Sequence, residues 1–99
     1  MYDLPWQELG EAESREFEAE LIRETPAGHL LYGKTVRAIA KRCDRDDVLF
    51  EVAGGPHVAV VHLTYSIEAD PAWPDTTVYA SLQEFYAQRM NLDFADYSR

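Results

Sequence analysis

The segment His-Val-Ala-Val-Val-His-Leu-Thr-Tyr at residues 57–65 decides the fold, because it reads as a β-strand whose two faces differ in chemistry. Successive side chains of a strand point to opposite faces. The odd-numbered face is apolar almost throughout: Ala59, Val61, Leu63 and Tyr65. The even-numbered face begins with Val58 and Val60 and turns polar at His62 and Thr64. The pattern predicts that the odd face lies in the core and that the even face changes character halfway along.

The segments on either side of this strand predict two helices and three further strands. Good helix formers dominate residues 9–23, and Thr25-Pro26 ends that helix because the residue before a proline avoids the α region. Ser81 and Glu84 form a capping box at the start of a second helix. The remaining strands are predicted at residues 34–42, 48–52 and 77–80.

These elements follow one another in the order α-β-β-β-β-α with short connections, which favours antiparallel neighbours. We therefore predict one α+β domain over residues 1–99, a four-stranded antiparallel meander with the N-terminal and C-terminal helices on one face. The other face would then carry the mixed surface around His62. Such a surface is open to a ligand, or it is covered by the loop at residues 66–76 or by a second subunit.

The charge of the chain is strongly acidic, with 18 Asp and Glu against 9 Lys and Arg and a net charge of −9. Nucleic-acid binding depends on clustered Lys and Arg that neutralise phosphates, so the overall field argues against DNA or RNA as a partner. The acidity is explained by solubility alone or by steering of a basic protein partner.

The cysteine content and the hydropathy both point to the cytoplasm. The single cysteine, Cys43, cannot form an internal disulfide. The N-terminus has no signal-peptide pattern, and no apolar run approaches the roughly 20 residues that a membrane span needs. We expect a soluble, cytoplasmic protein without a membrane segment.

His62 and Trp73 are two candidate binding residues. An imidazole at the polar end of an apolar strand can titrate near neutrality or bind a ligand. Alternatively, His62 bonds to a neighbouring Thr or Asp and only closes the sheet edge. Trp73, between two prolines in the longest loop, is either packed over a sheet face or exposed as an anchor for a partner.

Arg37 and Thr64 complete the predicted binding surface. Arg37 and Lys41 share a face of their predicted strand, where they either meet an anionic group or pair with acidic residues of the fold. The usual enzyme constellations are missing, and His57 and His62 point to opposite faces, which makes joint metal binding implausible. The sequence therefore favours a binding role over catalysis and predicts no catalytic residue, no metal and no cofactor.

Four sequence blocks resemble those of a group of small bacterial proteins of about this length, to which no activity is assigned. The resemblance covers residues 14–86, and its blocks are Gly28-His-Leu-Leu-Tyr-Gly33, Asp46-Asp-Val-Leu-Phe50, Val60-Val-His-Leu-Thr64, and Trp73-Pro74 with Tyr79-Ala-Ser-Leu82. It implies a bacterial source and supplies no list of functional residues.

Two hypotheses about function follow. The first is a small interaction protein, such as an immunity-like inhibitor of a basic partner, with His62, Arg37, Trp73 and Thr64 as the contact surface. The second is a small-molecule binder or enzyme that uses His62 in a cleft roofed by the 66–76 loop. A homodimer whose sheet faces meet would use the same surface.

Overall fold

An antiparallel sheet of five strands forms the centre of the computed structural model, which describes residues 2–98. The strands are β1 (Trp6–Glu8), β2 (Val36–Arg42), β3 (Asp47–Val52), β4 (Val58–His62) and β5 (Thr76–Tyr79). The helices are α1 (Glu11–Glu24), α2 (Leu82–Phe85) and α3 (Asn91–Tyr97), with a π-helical segment (Tyr86–Met90) between the last two. We call this continuous run from α2 to α3 the C-terminal helix. No helix among residues 2–98 has both the length and the apolar character needed to cross a membrane.

The α+β class and the antiparallel meander are confirmed, but the prediction of four strands was wrong. The additional strand, β1, precedes α1 and pairs with β2, placing Trp6 opposite Arg42 and Glu8 opposite Ala40. The spatial order of the strands is their order along the chain. Because β1 has only three residues and directly follows Pro5, its sequence is too short to show an alternating pattern.

The prediction that both helices lie on one face was also wrong, because α1 and the C-terminal helix cover opposite faces of the sheet. The α1-side core consists of Leu21, Leu31, Ala38, Val48, Phe50, Ala59, Val61 and Leu63. The C-terminal-side core consists of Trp6, Ala40, Leu49, Val58, Val60, Tyr79, Phe85 and Met90. The parity predicted for the long strand holds as far as Leu63, but its even face is buried too where Val58 and Val60 meet the C-terminal helix.

A β-bulge at Ile39 affects which side chains β2 contributes to each of the two cores. Ala38 pairs with Phe50 and Ala40 pairs with Leu49, so Ile39 has no partner in β3. The extra residue shifts the alternation and sends Ala38 and Ala40 to opposite faces. It also separates Arg37 and Lys41, which were expected on one face.

The long strand ends earlier than predicted. Regular pairing stops at His62, and Leu63 makes one further backbone bond to Asp46. Tyr65 follows in the left-handed region with φ of 57° and is 47 % exposed, so the expectation that it lies in the core was wrong. The residues after His62 therefore form a turn that leads into the long loop.

Candidate functional site

The charged side chains on the C-terminal side of the sheet meet in a connected network, which we call the ionic cluster. Its members are Arg42, Asp44, Asp47, His62, Arg89 and Asp93. Asp47 and His62 are directly opposite each other, where β3 begins and β4 ends. Arg89 and Asp93 are supplied by the C-terminal helix, so the network joins the helix to one end of the sheet.

Asp47 is the link between His62 and the C-terminal helix. Its carboxylate is buried, with Oδ1 2.6 Å from His62 Nδ1 and Oδ2 accepting a bond from Arg89 Nη2 at 2.9 Å. A carboxylate can only accept, so Nδ1 of His62 carries the proton in this bond. In the neutral imidazole, Nε2 is then the acceptor nitrogen.

Asp93 is the second acceptor in the ionic cluster and serves three donors. Its Oδ2 accepts from Arg89 Nε at 2.8 Å and from the Trp6 indole N–H at 2.8 Å, while its Oδ1 lies 3.1 Å from Arg42 Nη1. Arg42 is 2 % exposed. Its guanidinium also makes a two-bond contact with Asp44, with both distances 2.9 Å. The Arg42 bond holds the pKa of the Asp44 carboxyl below its usual range, and the Asp44 bond raises the pKa of Arg42.

The π-helical segment positions Arg89. Such segments are rare, widen one turn of a helix and occur often at functional sites. Here the wider turn spans Tyr86–Met90 and is followed directly by α3, which carries Asp93. The helix thereby presents Arg89 to Asp47 while Met90 stays buried in the C-terminal-side core.

A polar cleft of about 220 Å³ lies beside this network. It is lined by Arg45, Asp47, Val60, His62, Asp75, Thr77 and Arg89. The His62 side chain is 52 % exposed, and its Nε2 has no hydrogen-bond partner among residues 2–98. Of residues 66–76, only Asp75 lines the cleft, so the long loop does not form its roof.

Thr64 lies in the turn after β4, and its hydrogen-bonding groups have partners within the fold. Its backbone N–H and that of Tyr65 donate to the Glu24 carboxylate at 2.7 Å and 2.8 Å. The Thr64 hydroxyl is within bonding distance of both Glu24 and Glu68. Burial, and then the neighbouring Glu20 carboxyl, raise the pKa of Glu24. These contacts tie the end of α1 to the start of the long loop.

The long loop packs against the connection between α1 and β2. Buried His29 accepts a bond from Leu31 N at Nδ1, and its Nε2–H donates to the carbonyl of Pro74 at 2.9 Å. Gly28 has φ of 94°, and a Cβ atom at this position would lie 3.3 Å from Cβ of Pro71, so a larger residue would crowd the loop. Trp73 remains 47 % exposed beside the buried Pro74.

Arg37 is exposed at the opposite end of the sheet from His62. It pairs with Glu51, whereas His62 pairs with Asp47, four residues away along β3, which corresponds to roughly 13 Å. The four residues predicted as one surface are therefore distributed. His62 lies in the polar cleft, Thr64 contacts Glu24, Trp73 projects from the loop, and Arg37 lies at the other end of β3 from His62.

The sequence allowed for a bond from His62 to a neighbouring Asp, which the structure shows with Asp47, but it did not indicate the rest of the ionic cluster. Arg42, Asp47, Arg89 and Asp93 come from three separate stretches of the chain. A weak signal was present in Asp47, an acid directly preceding the apolar run Val48-Leu49-Phe50. Nothing in the sequence indicated that Asp47 contacts Arg89, because this contact depends on which face of the sheet the C-terminal helix covers.

Within residues 2–98, no three His, Cys, Asp or Glu side chains are grouped so that they could hold a metal ion. Comparison with known proteins gave no match to a family model, a curated protein or a solved structure. The resemblance to small bacterial proteins stays a prediction.

Proposed function

We propose that this protein is an interaction module that binds a basic protein partner, as an immunity-like inhibitor does, and that the contact is made by the long loop. The binding region, here called the loop surface, consists of Tyr65, Ile67, Glu68, Asp70, Trp73 and Asp75. The observation that carries the proposal is the combination of exposed apolar side chains and exclusively acidic charge in one anchored loop.

The apolar part of the loop surface has the composition of a binding anchor. Ile67 is 78 % exposed, and Tyr65 and Trp73 are each 47 % exposed. Aromatic side chains dominate the binding energy at protein interfaces because each buries a large area with few rotatable bonds. The bond from His29 to Pro74 and the close contact of Gly28 with Pro71 hold the loop in place. A loop that is already ordered loses little conformational entropy on binding.

The charge around these side chains favours a basic partner. No Lys or Arg occurs between Arg45 and Arg89, whereas Glu68, Asp70 and Asp75 lie in the loop itself. Burial, followed by the charges of Asp46, Glu20 and Glu24, raises the pKa of Tyr65, which places this ring in acidic surroundings. Complementary charge speeds association and rejects partners of the wrong sign.

The test is a pair of charge reversals of equal size. A partner is first isolated from a bacterial lysate at low salt and identified, and its affinity for each variant is then measured. Asp75→Lys should weaken binding strongly, whereas Glu13→Lys, an exposed reversal on α1, should have a much smaller effect. Trp73→Ala should cost at least about 2 kcal/mol of binding free energy if Trp73 is an anchor. Ile22→Ala, which removes an exposed apolar residue elsewhere, is the matched control.

Three outcomes would contradict this proposal. The first is that no partner binds more tightly at low salt than at high salt. The second is that the partner isolated is acidic. The third is that Asp75→Lys and Glu13→Lys weaken binding equally.

A second candidate function is small-molecule binding at the polar cleft, with His62 as the contacting or proton-accepting group. It is favoured by one observation, the buried Asp47 that fixes the Nδ1 proton of His62. The same arrangement orients catalytic histidines in enzymes, but here no nucleophile is bonded to Nε2 among residues 2–98. A fragment screen monitored by the imidazole NMR signals of His62 tests this function. Specific ligands should perturb those signals in the wild type and bind less tightly to Asp47→Asn.

A further inference from the structure

We infer that the outer edge of β5 is the place where an extended, basic segment of the partner adds a strand to the sheet; this rests on the proposed function, because it assumes the same basic partner. Sheet edges bind peptides through backbone hydrogen bonds, which give affinity, and through alternating side chains, which give specificity.

The register of β5 identifies which of its backbone groups are free. Among the strands of residues 2–98, β5 is the last in the sheet and pairs with β4 alone. The bond from His62 N to Asp75 O shows that the backbone groups of Asp75 point toward β4. Because backbone groups alternate in direction along a strand, Thr77 and Tyr79 also face β4.

The N–H and C=O groups of Thr76 and Val78 consequently point outward. Within residues 2–98, no backbone or side-chain hydrogen bond involves these four groups. They repeat at the spacing at which an antiparallel partner strand would bind.

The opposite edge of the sheet lacks these properties. β1 has three residues, directly follows Pro5 and ends in the charged residue Glu8. Short length, proline and charge are the features that protect natural edge strands from pairing. β5 reads Thr-Thr-Val-Tyr, has no charged residue, and consists of residue types that favour strands. Val78 is also 46 % exposed.

The charge of the chain indicates which kind of molecule binds at the outer edge of β5. A second copy would bring another net charge of −9 to this edge, and like charges repel. Asp75 precedes β5 and Glu84 follows it, and no Lys or Arg of this stretch offsets them. An extended segment with alternating basic and β-branched residues complements both the free backbone groups and the local charge.

The experiment uses the acetylated, amidated peptide Lys-Val-Thr-Val-Lys as the probe and follows the backbone amides of the full chain by NMR. Binding should shift the amide signals of Thr76 and Val78 and slow their hydrogen exchange. The amides of Thr77 and Tyr79, already bonded to β4, should change much less. This comparison within the wild-type protein requires no variant.

Val78→Pro removes one outward donor and leaves the bonds to β4 intact, since proline is tolerated on edge strands. It should weaken peptide binding by about three- to tenfold, the effect of one lost hydrogen bond. Val78→Thr keeps the donor and the β-branched shape, so it should bind within about twofold of the wild type on the same scale.

The outcomes separate this inference from the proposed function. Peptide-induced shifts confined to the loop surface, with Thr76 and Val78 unchanged, would overturn strand addition and leave the proposed function standing. Equal binding of the peptide Glu-Val-Thr-Val-Glu would refute the basic partner while retaining strand addition. No binding of either peptide, or unchanged affinity of Val78→Pro, would overturn the inference.

Discussion

The two faces of the sheet are built from the same strands but differ in chemistry. On the α1 side, alternating residues of β3 and β4 form a core that is apolar throughout. On the C-terminal side, an apolar core gives way to the ionic cluster at the end of the sheet where Asp47 faces His62. The difference teaches that α1 is held by apolar packing with separate hydrogen bonds at its rim, such as that of the Thr64 N–H to Glu24, whereas the C-terminal helix is also held by a connected network of charged side chains.

The ionic cluster has a specific structural consequence. Hydrophobic contacts tolerate small shifts of a helix, whereas the bond of Arg89 to Asp47 and the contact of Asp93 with Arg42 require one position and rotation. Buried ion pairs add little net stability, because desolvation offsets the attraction. Their contribution here is better described as the orientation of the C-terminal helix relative to β3 and β4.

The largest effect is expected from Phe50→Ala on the apolar face. Phe50 is fully buried in the α1-side core, so its truncation removes apolar contacts and leaves a cavity. We expect a loss of about 3–5 kcal/mol in the free energy of unfolding, measured by urea denaturation. Ile67→Ala, at an exposed position, should change it by less than about 0.5 kcal/mol. Similar stabilities for the two variants would contradict the assignment of the core.

The second-largest loss in the free energy of unfolding is expected from Asp93→Ala in the ionic cluster. The change leaves the buried Arg42 with fewer acceptors and removes the partner of the Trp6 indole N–H. Breaking a buried pair typically costs 3–5 kcal/mol, and because the Asp93 side chain is 14 % exposed we expect roughly 2–4 kcal/mol. Urea denaturation checks this, with the exposed Asp96→Ala as the control. An equal, small effect of both changes would show that the cluster does not hold the helix.

A pH effect is expected from the Glu20 and Glu24 pair at the end of α1. Burial and Glu20 raise the pKa of Glu24, so the folded protein holds this proton more tightly than the unfolded chain does. The resulting stability is present at acidic pH and is lost as the pH rises through the folded-state pKa. The pKa of Glu20 is lowered, first by its bond to Glu24, so its own contribution has the opposite sign.

Glu20→Gln separates these contributions because it removes the charge beside Glu24 and retains an oxygen, Oε1, that can accept the Glu24 proton. Thermal melts between about pH 4 and 8 should show the fall in stability at a lower pH in this variant than in the wild type, because the Glu20 charge no longer raises the pKa of Glu24. Glu16→Gln, an exposed change on the same helix, should follow the wild type. A parallel decline in all three proteins would contradict the pairing of Glu20 with Glu24.

The smallest effect is expected from His62→Ala. The imidazole is half-exposed, and Asp47 keeps its bond to Arg89 when His62 is removed. We therefore expect a loss of about 1 kcal/mol or less, below the range of a buried hydrogen bond to a charged group because water can replace the imidazole. Thermal melts beside His57→Ala measure this. A loss above about 2 kcal/mol would contradict the view that the imidazole is half-exposed and dispensable to the ionic cluster.

The sequence predicted those features that depend on local pattern. The alternation from Val58 to Leu63 indicated β4 and its two faces. Ser81 begins the second helix as expected, with its hydroxyl accepting from Glu84 N, although the Glu84 side chain bonds Gln88 instead of completing the capping box.

Other features depend on distant contacts and leave no local trace. The bulge at Ile39 follows from the joint demands of two cores on β2. The position of the C-terminal helix was predictable in principle, because Val58 and Val60 are apolar and need a cover. The ionic cluster could not be read from the sequence, since Arg42, Asp47 and Arg89 come together only when the C-terminal helix lies on its face of the sheet.

The bulge at Ile39 gives β2 one residue more than its pairing requires. Ala38 and Ala40 pair with the adjacent residues Phe50 and Leu49, so deletion of Ile39 would join them in regular pairing and leave every later residue on its present face. Arg42 would remain opposite Trp6. The regular pairing of β3 with β4 holds no such extra residue, so a deletion within β3 would shift part of that strand by one step and turn buried apolar side chains to the wrong face. Tolerance to a shortened chain should therefore be confined to the bulge.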